Sequence, residues 1–386
     1  MIGGPARFMF VLALAAAASA AAATDRFVPA DPNFIVANVR QAAQDPGLRD
    51  LIAQWRAAPV DTASVALARA FLERAHALRE PMYMGRAEAV LAAAASRPDA
   101  SFETRRLFAE TLQYRHEFTA AETLLDAILR QSPLDVAART QRASVRLVRG
   151  DFAGARGDCA QLLASASNQS VALACLAESH AGSGRFEQAR ALLAAYPLNP
   201  GENAAARAYF LTVRAELQER AQSIDRSIAD YSAALTAMPR EDSIRASLAD
   251  ALIARGDLED ANALLDIERP SLALVVRRVS CTRGAQRERL RAQAAGWLDL
   301  EAARGDALHH REAAMLALAV GDATRALQSA EKNFATQKEL ADVRVLARAA
   351  VAAGDQAARR KLTDWMLATG FRDAFSENIL GITRRG

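Results

Sequence analysis

A six-residue phrase returns along this chain every 34 positions, and that period restricts the fold more than any other feature of the sequence. HEFTAA runs from His116, GDFAGA from Gly150 and GRFEQA from Gly184, so that their last alanines, Ala121, Ala155 and Ala189, lie 34 and 34 residues apart. GDLEDA ends at Ala261, GDATRA ends at Ala326, and GDQAAR from Gly354 marks one more turn. A self-similar period of roughly 20–50 residues is the mark of a stacked array. Each phrase reads as a helix stop followed by a helix start. Its glycine can take the left-handed conformation, and the aspartate that often follows can cap the next helix.

The register has an independent check. Twelve positions before each marker stands a small residue: Ala75, Ala109, Ala143, Ala177, Ala215, Ala249 and Ala314, with Ala347 in the last repeat; Ala87 and Ser227 serve as markers in the two degenerate repeats. A small side chain there lets the two helices of a hairpin approach closely. Pro133 follows Ala121, and Pro239 follows Ser227, by the same twelve positions, where proline closes the second helix. Aromatic residues make up only 6% of the chain, and alanine, leucine and arginine dominate, which favours helix over strand. Short amphipathic helices are marginal alone in water, so such hairpins gain stability by stacking on their neighbours.

This pattern of a small residue in helix A, an alanine in helix B and a closing proline resembles the tetratricopeptide repeat (TPR), over about residues 64–361. The resemblance implies an all-α, right-handed superhelical solenoid of helix-turn-helix repeats with helical caps. The expected organisation is a signal peptide over 1–23, an N-terminal helical cap over 24–63, the array over 64–361, and a capping helix with a tail over 362–386. The repeat is eroded around 267–303, where no helices can be placed from sequence, and Pro197–Asn203 is an insertion that reads as a longer loop.

The N-terminus carries Arg7, an apolar run from Phe8 to Ala18, and alanine-rich cleavage patterns at Ala18-Ser19-Ala20 and Ala21-Ala22-Ala23. These are the parts of an export signal, which places the mature protein in the periplasm or outside, with no integral membrane span once the signal is removed. Lysine plus arginine total 48 against 45 acidic residues, a net charge of +3, which gives no electrostatic footprint for nucleic acid.

Catalytic motifs are absent, with no phosphate loop, nucleophile elbow or paired-cysteine metal knuckle. His309 and His310 are adjacent and point about 100° apart on a helix, so no metal site is expected, nor any cofactor. His180 reads as a packed, hydrogen-bonded ring. Cys159 on helix B and Cys175 on the following helix A are either a disulfide between neighbouring helices or two buried thiols, and Cys281 is left over.

By the TPR resemblance, helix A lines a concave surface and the residue after the small alanine faces a bound peptide. That position reads His76, Glu110, Ser144, Glu178, Glu216, Asp250, Met315 and Arg348. Glu110, Glu178, Glu216 and Asp250 make an acidic row, Arg311, Arg344 and Arg348 reverse the sign towards the C-terminus, and Tyr209 and Thr212 lie nearby. The resemblance therefore implies a non-enzymatic scaffold or assembly factor of the bacterial cell envelope that binds a protein or peptide, with a basic segment along the acidic row. The alternatives are a solvated helix face, or a helical solenoid with an enzymatic or small-ligand site of unrecognised type. The Lys/Asn pattern that clamps a C-terminal carboxylate in chaperone-binding TPR domains is missing.

Overall fold

Most helices among the described residues have 15 residues or fewer, so what matters is how each is ended and what its alanine face meets. The computed structural model describes residues 45–78, 80–165, 169–199, 201–303 and 309–382. The expected signal peptide lies outside them, as does most of the expected N-terminal cap. Among the described residues there are twenty helices and no strand.

α1 (Pro46–Ala57) comes first, and residues from Asp50 onwards form one compact unit. Nine helix pairs follow. They are α2 (Asp61–Leu78) with α3 (Pro81–Ala95), α4 (Phe102–Tyr114) with α5 (Phe118–Gln131), and α6 (Val136–Arg149) with α7 (Phe152–Ala164). Next come α8 (Gln169–Gly182) with α9 (Phe186–Ala194), α10 (Ala204–Arg220) with α11 (Ile224–Ala237), and α12 (Asp242–Arg255) with α13 (Leu258–Leu265). The last three are α14 (Leu272–Cys281) with α15 (Gly284–Ala303), α16 (His310–Val320) with α17 (Ala323–Thr336), and α18 (Leu340–Ala352) with α19 (Gln356–Thr369); α20 (Ala374–Leu380) ends the array. The chain is thus the all-α repeat solenoid expected from its period.

The recurring phrase does what its chemistry suggests. At the α6–α7 turn Gly150 is left-handed at φ 78°, and the Asp151 side chain accepts a hydrogen bond from the Gly154 amide at 2.9 Å, capping α7. The register also holds in packing. Ala109, Ala121, Ala155, Ala177, Ala215, Ser227, Ala249, Ala261, Ala314, Ala326 and Ala347 have no exposed surface. Ala75, near the start of the array, is only half-buried. Because Ala177 is sealed between α8 and its neighbours, Ala177→Leu is expected to overpack the contact and destabilise by about 1–3 kcal/mol, while Ala352→Leu on an exposed face stays within about 0.5 kcal/mol. Denaturant melts of the two variants check this, and equal midpoints would show that the register is not a packing constraint.

Three boundaries differ from the expectation. The eroded stretch around 267–303 is a seventh hairpin with a ten-residue α14 and a twenty-residue α15. There Val275, Val276 and Val279 pack against Leu290 and Ala294, so valines fill the contact that alanine makes elsewhere. The divisions drawn at 63/64 and 361/362 fall inside α2 and α19. Leu362 and Met366, expected in a capping helix, are buried residues of the second helix of the ninth hairpin, and the terminal helix is α20. The Pro197–Asn203 insertion is the connection into α10, whose first turn is capped by Asn203 accepting from the Ala205 amide at 2.9 Å.

The solenoid closes on itself. Successive hairpin turns meet the C-terminal hairpins roughly four to six repeats later. The His116 ring nitrogen Nδ1 lies 3.1 Å from the Gln337 amide nitrogen, and the Lys338 amide donates to the Val148 carbonyl at 2.7 Å. At the next turn, a Cβ on Gly184 would fall 2.3 Å from the Gly370 carbonyl oxygen, so only glycine fits there, at φ 70°. One turn further, Arg220 donates to the Arg372 carbonyl at 3.0 Å and covers the Phe371 ring at 4.3 Å. A single apolar cluster joins Ala143, Leu147, Phe152 and Leu176 of the early hairpins to Phe334, Leu346, Leu362, Met366 and Phe371 of the late ones. Nearest-neighbour stacking alone would leave this array open, and these contacts close it.

Candidate functional site

Closure turns the inner face of the array into a cavity. Its larger lobe, about 950 Å³, is lined from α6 to α18 almost wholly by the first helix of each hairpin, which projects Thr140, Ser144, Glu178, Tyr209, Thr212, Glu216 and Asp250 inward. Volumes of roughly 300–1,000 Å³ are typical of ligand sites. A second lobe of about 660 Å³ shares Glu216, Ser247, Asp250, Arg277, Leu340 and Ala341 with the first.

The acidic row expected from sequence is split. Glu110 faces His76 across the first repeats at 3.4 Å, and it does not line either lobe. Asp250 is held in a two-pronged ion pair by Arg277, at 2.9 and 2.8 Å. Glu178 and Glu216 both line the larger lobe. The Tyr209 hydroxyl donates to Glu178 at 2.5 Å. No ion pair to either carboxylate occurs among the described residues; Arg220 acts on both through space, while its own hydrogen bond goes to the Arg372 carbonyl. Burial, reinforced by Glu339, raises Glu178 to about 7 against the pull of Tyr209 and Arg220. Glu216 rises to about 8, again through burial first and then through the charge of Glu178. Burial and Glu178 together push Tyr209 well above the ordinary tyrosine value. The Thr212 hydroxyl, between these groups in sequence, is buried with no hydrogen-bond partner among the described residues.

Two of the three arginines expected to reverse the sign of the groove are paired inside the protein. Arg311 pairs with Asp342 at 2.5 Å and with Glu339. Arg344 bridges Glu219 of α10 to Asp373 before α20, the latter at 2.7 and 3.0 Å. These are closure contacts rather than ligand contacts. Arg348 is different, being exposed at the edge of the smaller lobe.

Sequence reasoning missed Arg277, because it lies in the eroded repeat, and Glu219, Glu339 and Asp373, whose partners are remote in the chain. One signal was present and unread. Arg142 and Arg214 each precede the small alanine of helix A, and Asp158 and Asp230 each follow a helix B marker by three residues; the pairs meet at 2.6 Å in both hairpins. Asp158 is buried and also accepts from Arg139 at 3.2 Å and Arg146 at 2.9 Å. Cys159 beside it is bonded to Cys175, joining α7 to α8 with a Cα–Cα distance of 5.6 Å, and Cys281 is free and half-buried. His180 is packed, but its Nδ1 lacks the expected hydrogen bond. His309 turns to Glu301 at 3.0 Å, and no cluster suited to a metal ion occurs among the described residues. No described helix is long and apolar enough to cross a membrane.

No family model matches the sequence, and no curated protein matches it. Among solved structures, the chain is similar to a tetratricopeptide repeat protein from Parabacteroides merdae, at 15% identity and a TM-score of 0.40, over 73% of this chain and 98% of that one. It is also similar to a thermophilic TPR protein of Thermus thermophilus, at 22% identity and a TM-score of 0.38, over 51% of this chain and 99% of that one. The pentatricopeptide repeat protein PPR10 from maize matches at 14% identity and a TM-score of 0.31, over 86% of this chain and 48% of that one. The hairpin period and the buried small-residue contacts described above make this a TPR-type fold.

Proposed function

We propose that this chain is a non-catalytic binding protein of the bacterial cell envelope, which takes a lysine- or arginine-bearing segment of a protein partner into its cavity at Glu178 and Glu216. The observation that carries this reading is the pairing pattern. Asp250, Glu219 and Asp342 have guanidinium partners within the chain, whereas among the described residues the carboxylates of Glu178 and Glu216 face the larger lobe without an ion pair. Two neighbouring carboxylates in a partly desolvated cavity favour a cation over an anion, and they steer its approach. Titratable groups in the lobe serve this role better than acid–base catalysis, since they are not assembled around a nucleophile or an anion-stabilising set of donors. The Cys159–Cys175 bond and the export-type N-terminal sequence support a home in an oxidising compartment.

Titration of the full chain with a hexalysine peptide, with hexaglutamate as control, tests the proposal. Wild type is expected to bind hexalysine alone, and Glu178→Gln/Glu216→Gln to bind it about tenfold or more weakly while melting as a folded protein. Equal affinity of the two proteins would reject these carboxylates as the site.

A further inference from the structure

The smaller lobe has a polarity of its own. Its floor is buried, formed by Tyr231, Leu340 and Val345, and its walls carry Ile224, Ile253 and Met315. Its rim is exposed, formed by Gln222, Arg348, Phe375 and Asn378. The charges inside are mutually neutralised: Arg277 holds Asp250 at 2.8 Å, and Arg344 holds Glu219, which also accepts from the Tyr231 hydroxyl at 3.0 Å. Arg344 further stacks over the Phe375 ring at 5.7 Å, which fixes that ring at the mouth. Arg348 has no acidic partner among the described residues. Glu216, where the two lobes join, is the remaining carboxylate; protonation removes its charge, and a cation bound in the larger lobe offsets it.

We infer that this lobe is a binding site for an amphipathic monoanion, a carboxylate with an unbranched apolar tail, whose head pairs with Arg348 at the rim while its tail lies on Ile224, Ile253, Met315 and Val345. The inference rests on charge complementarity and shape together. An apolar pocket with one unpaired guanidinium at its mouth rewards a ligand that is apolar at one end and singly negative at the other. A neutral tail-bearing molecule gains the floor and loses the guanidinium. A cationic one meets Arg348 with like charge. This site is separate in chemistry from the cation site of the larger lobe, and it stands whether or not that proposal holds.

The test is calorimetry of the full chain with decanoate, decanol and decylamine, each below its aggregation concentration. Decanoate is expected to bind tightest, and Arg348→Gln to weaken it about tenfold or more, the worth of one charge-assisted hydrogen bond, without changing decanol. Ala254 lines the lobe and is exposed, so Ala254→Trp can block the pocket without entering the core, and it should abolish binding of both ligands. Decanoate and decanol binding alike, decylamine binding best, or Arg348→Gln binding decanoate as wild type does, would each overturn the inference.

Discussion

Arg344→Ala is expected to destabilise the protein by about 3–5 kcal/mol, the cost of leaving buried carboxylates without their cation. Arg344 carries two of them. Glu219 and Asp373 expose only 7% and 0% of their side chains, and both lie against the same guanidinium. Asp373 needs that partner to remain ionised: burial works against its charge, and its hydrogen bonds to Arg344 and Ser376 together with nearby arginines nonetheless hold it below the ordinary carboxylate value. The bridge links α10 to the segment before α20, so losing it should also loosen closure. Guanidinium chloride unfolding measures the loss, with Arg291→Ala as the control. Arg291 pairs with Glu288 on an exposed face of α15, at 46% and 61% side-chain exposure, and a pair of that kind is worth roughly 0–1 kcal/mol. Equal losses in the two variants would mean that closure does not depend on Arg344.

The second large effect depends on pH. Glu216 titrates near 8 in the folded chain because burial and the charge of Glu178 disfavour its ionised form. A carboxyl whose folded pKa is raised contributes stability that is fully present below its unfolded pKa, near 4.5, and is lost as pH rises through 8. Each unit of that difference is worth up to about 1.4 kcal/mol. Glu216→Gln removes the ionisation while keeping the shape. It should therefore melt at the wild-type temperature near pH 4.5 and about 2–6 °C above it near pH 9, by the usual relation between stability and midpoint. A constant difference between the two proteins across that range would mean that Glu216 is ordinary solvated surface.

The two predictions draw on parts of the molecule that the sequence revealed unequally. The hairpins were legible because a 34-residue period with a small residue in each helix is a local pattern, and its alanines after Ala75 are the sealed contacts between helices. The seventh hairpin was not, since Val275, Val276 and Val279 replace the small residue that carried the register. Closure was illegible for a different reason. Glu219 and Arg344 stand 125 positions apart, and His116 and Gln337 stand 221 apart, so no periodicity connects them. The candidate site inherits both outcomes. Reading the position after the small alanine of each helix A brought Glu178, Glu216 and Asp250 to the cavity, together with Arg348. The same reading could not tell that Asp250, Arg311 and Arg344 were already paired, because their partners come from the eroded repeat and from the closing hairpins.

The proposed cation site ties binding to protons. Burial first and then Glu339 raise Glu178 to about 7 against Tyr209 and Arg220, and burial first, then Glu178, with Glu339 and Glu219 adding and Arg220 opposing, raises Glu216 to about 8, so both favour the protonated form near neutral pH. A bound ammonium or guanidinium group would stabilise the ionised carboxylates and expel those protons. The most direct measurement is calorimetric titration of hexalysine into wild type at about pH 7, in two buffers of different ionisation heat, repeated at about pH 6 and pH 8.5. The expected result is release of roughly one proton per peptide bound, with affinity rising about tenfold from the lower to the higher pH. Tight binding with no proton released and no change in affinity across that range would contradict a site built on Glu178 and Glu216.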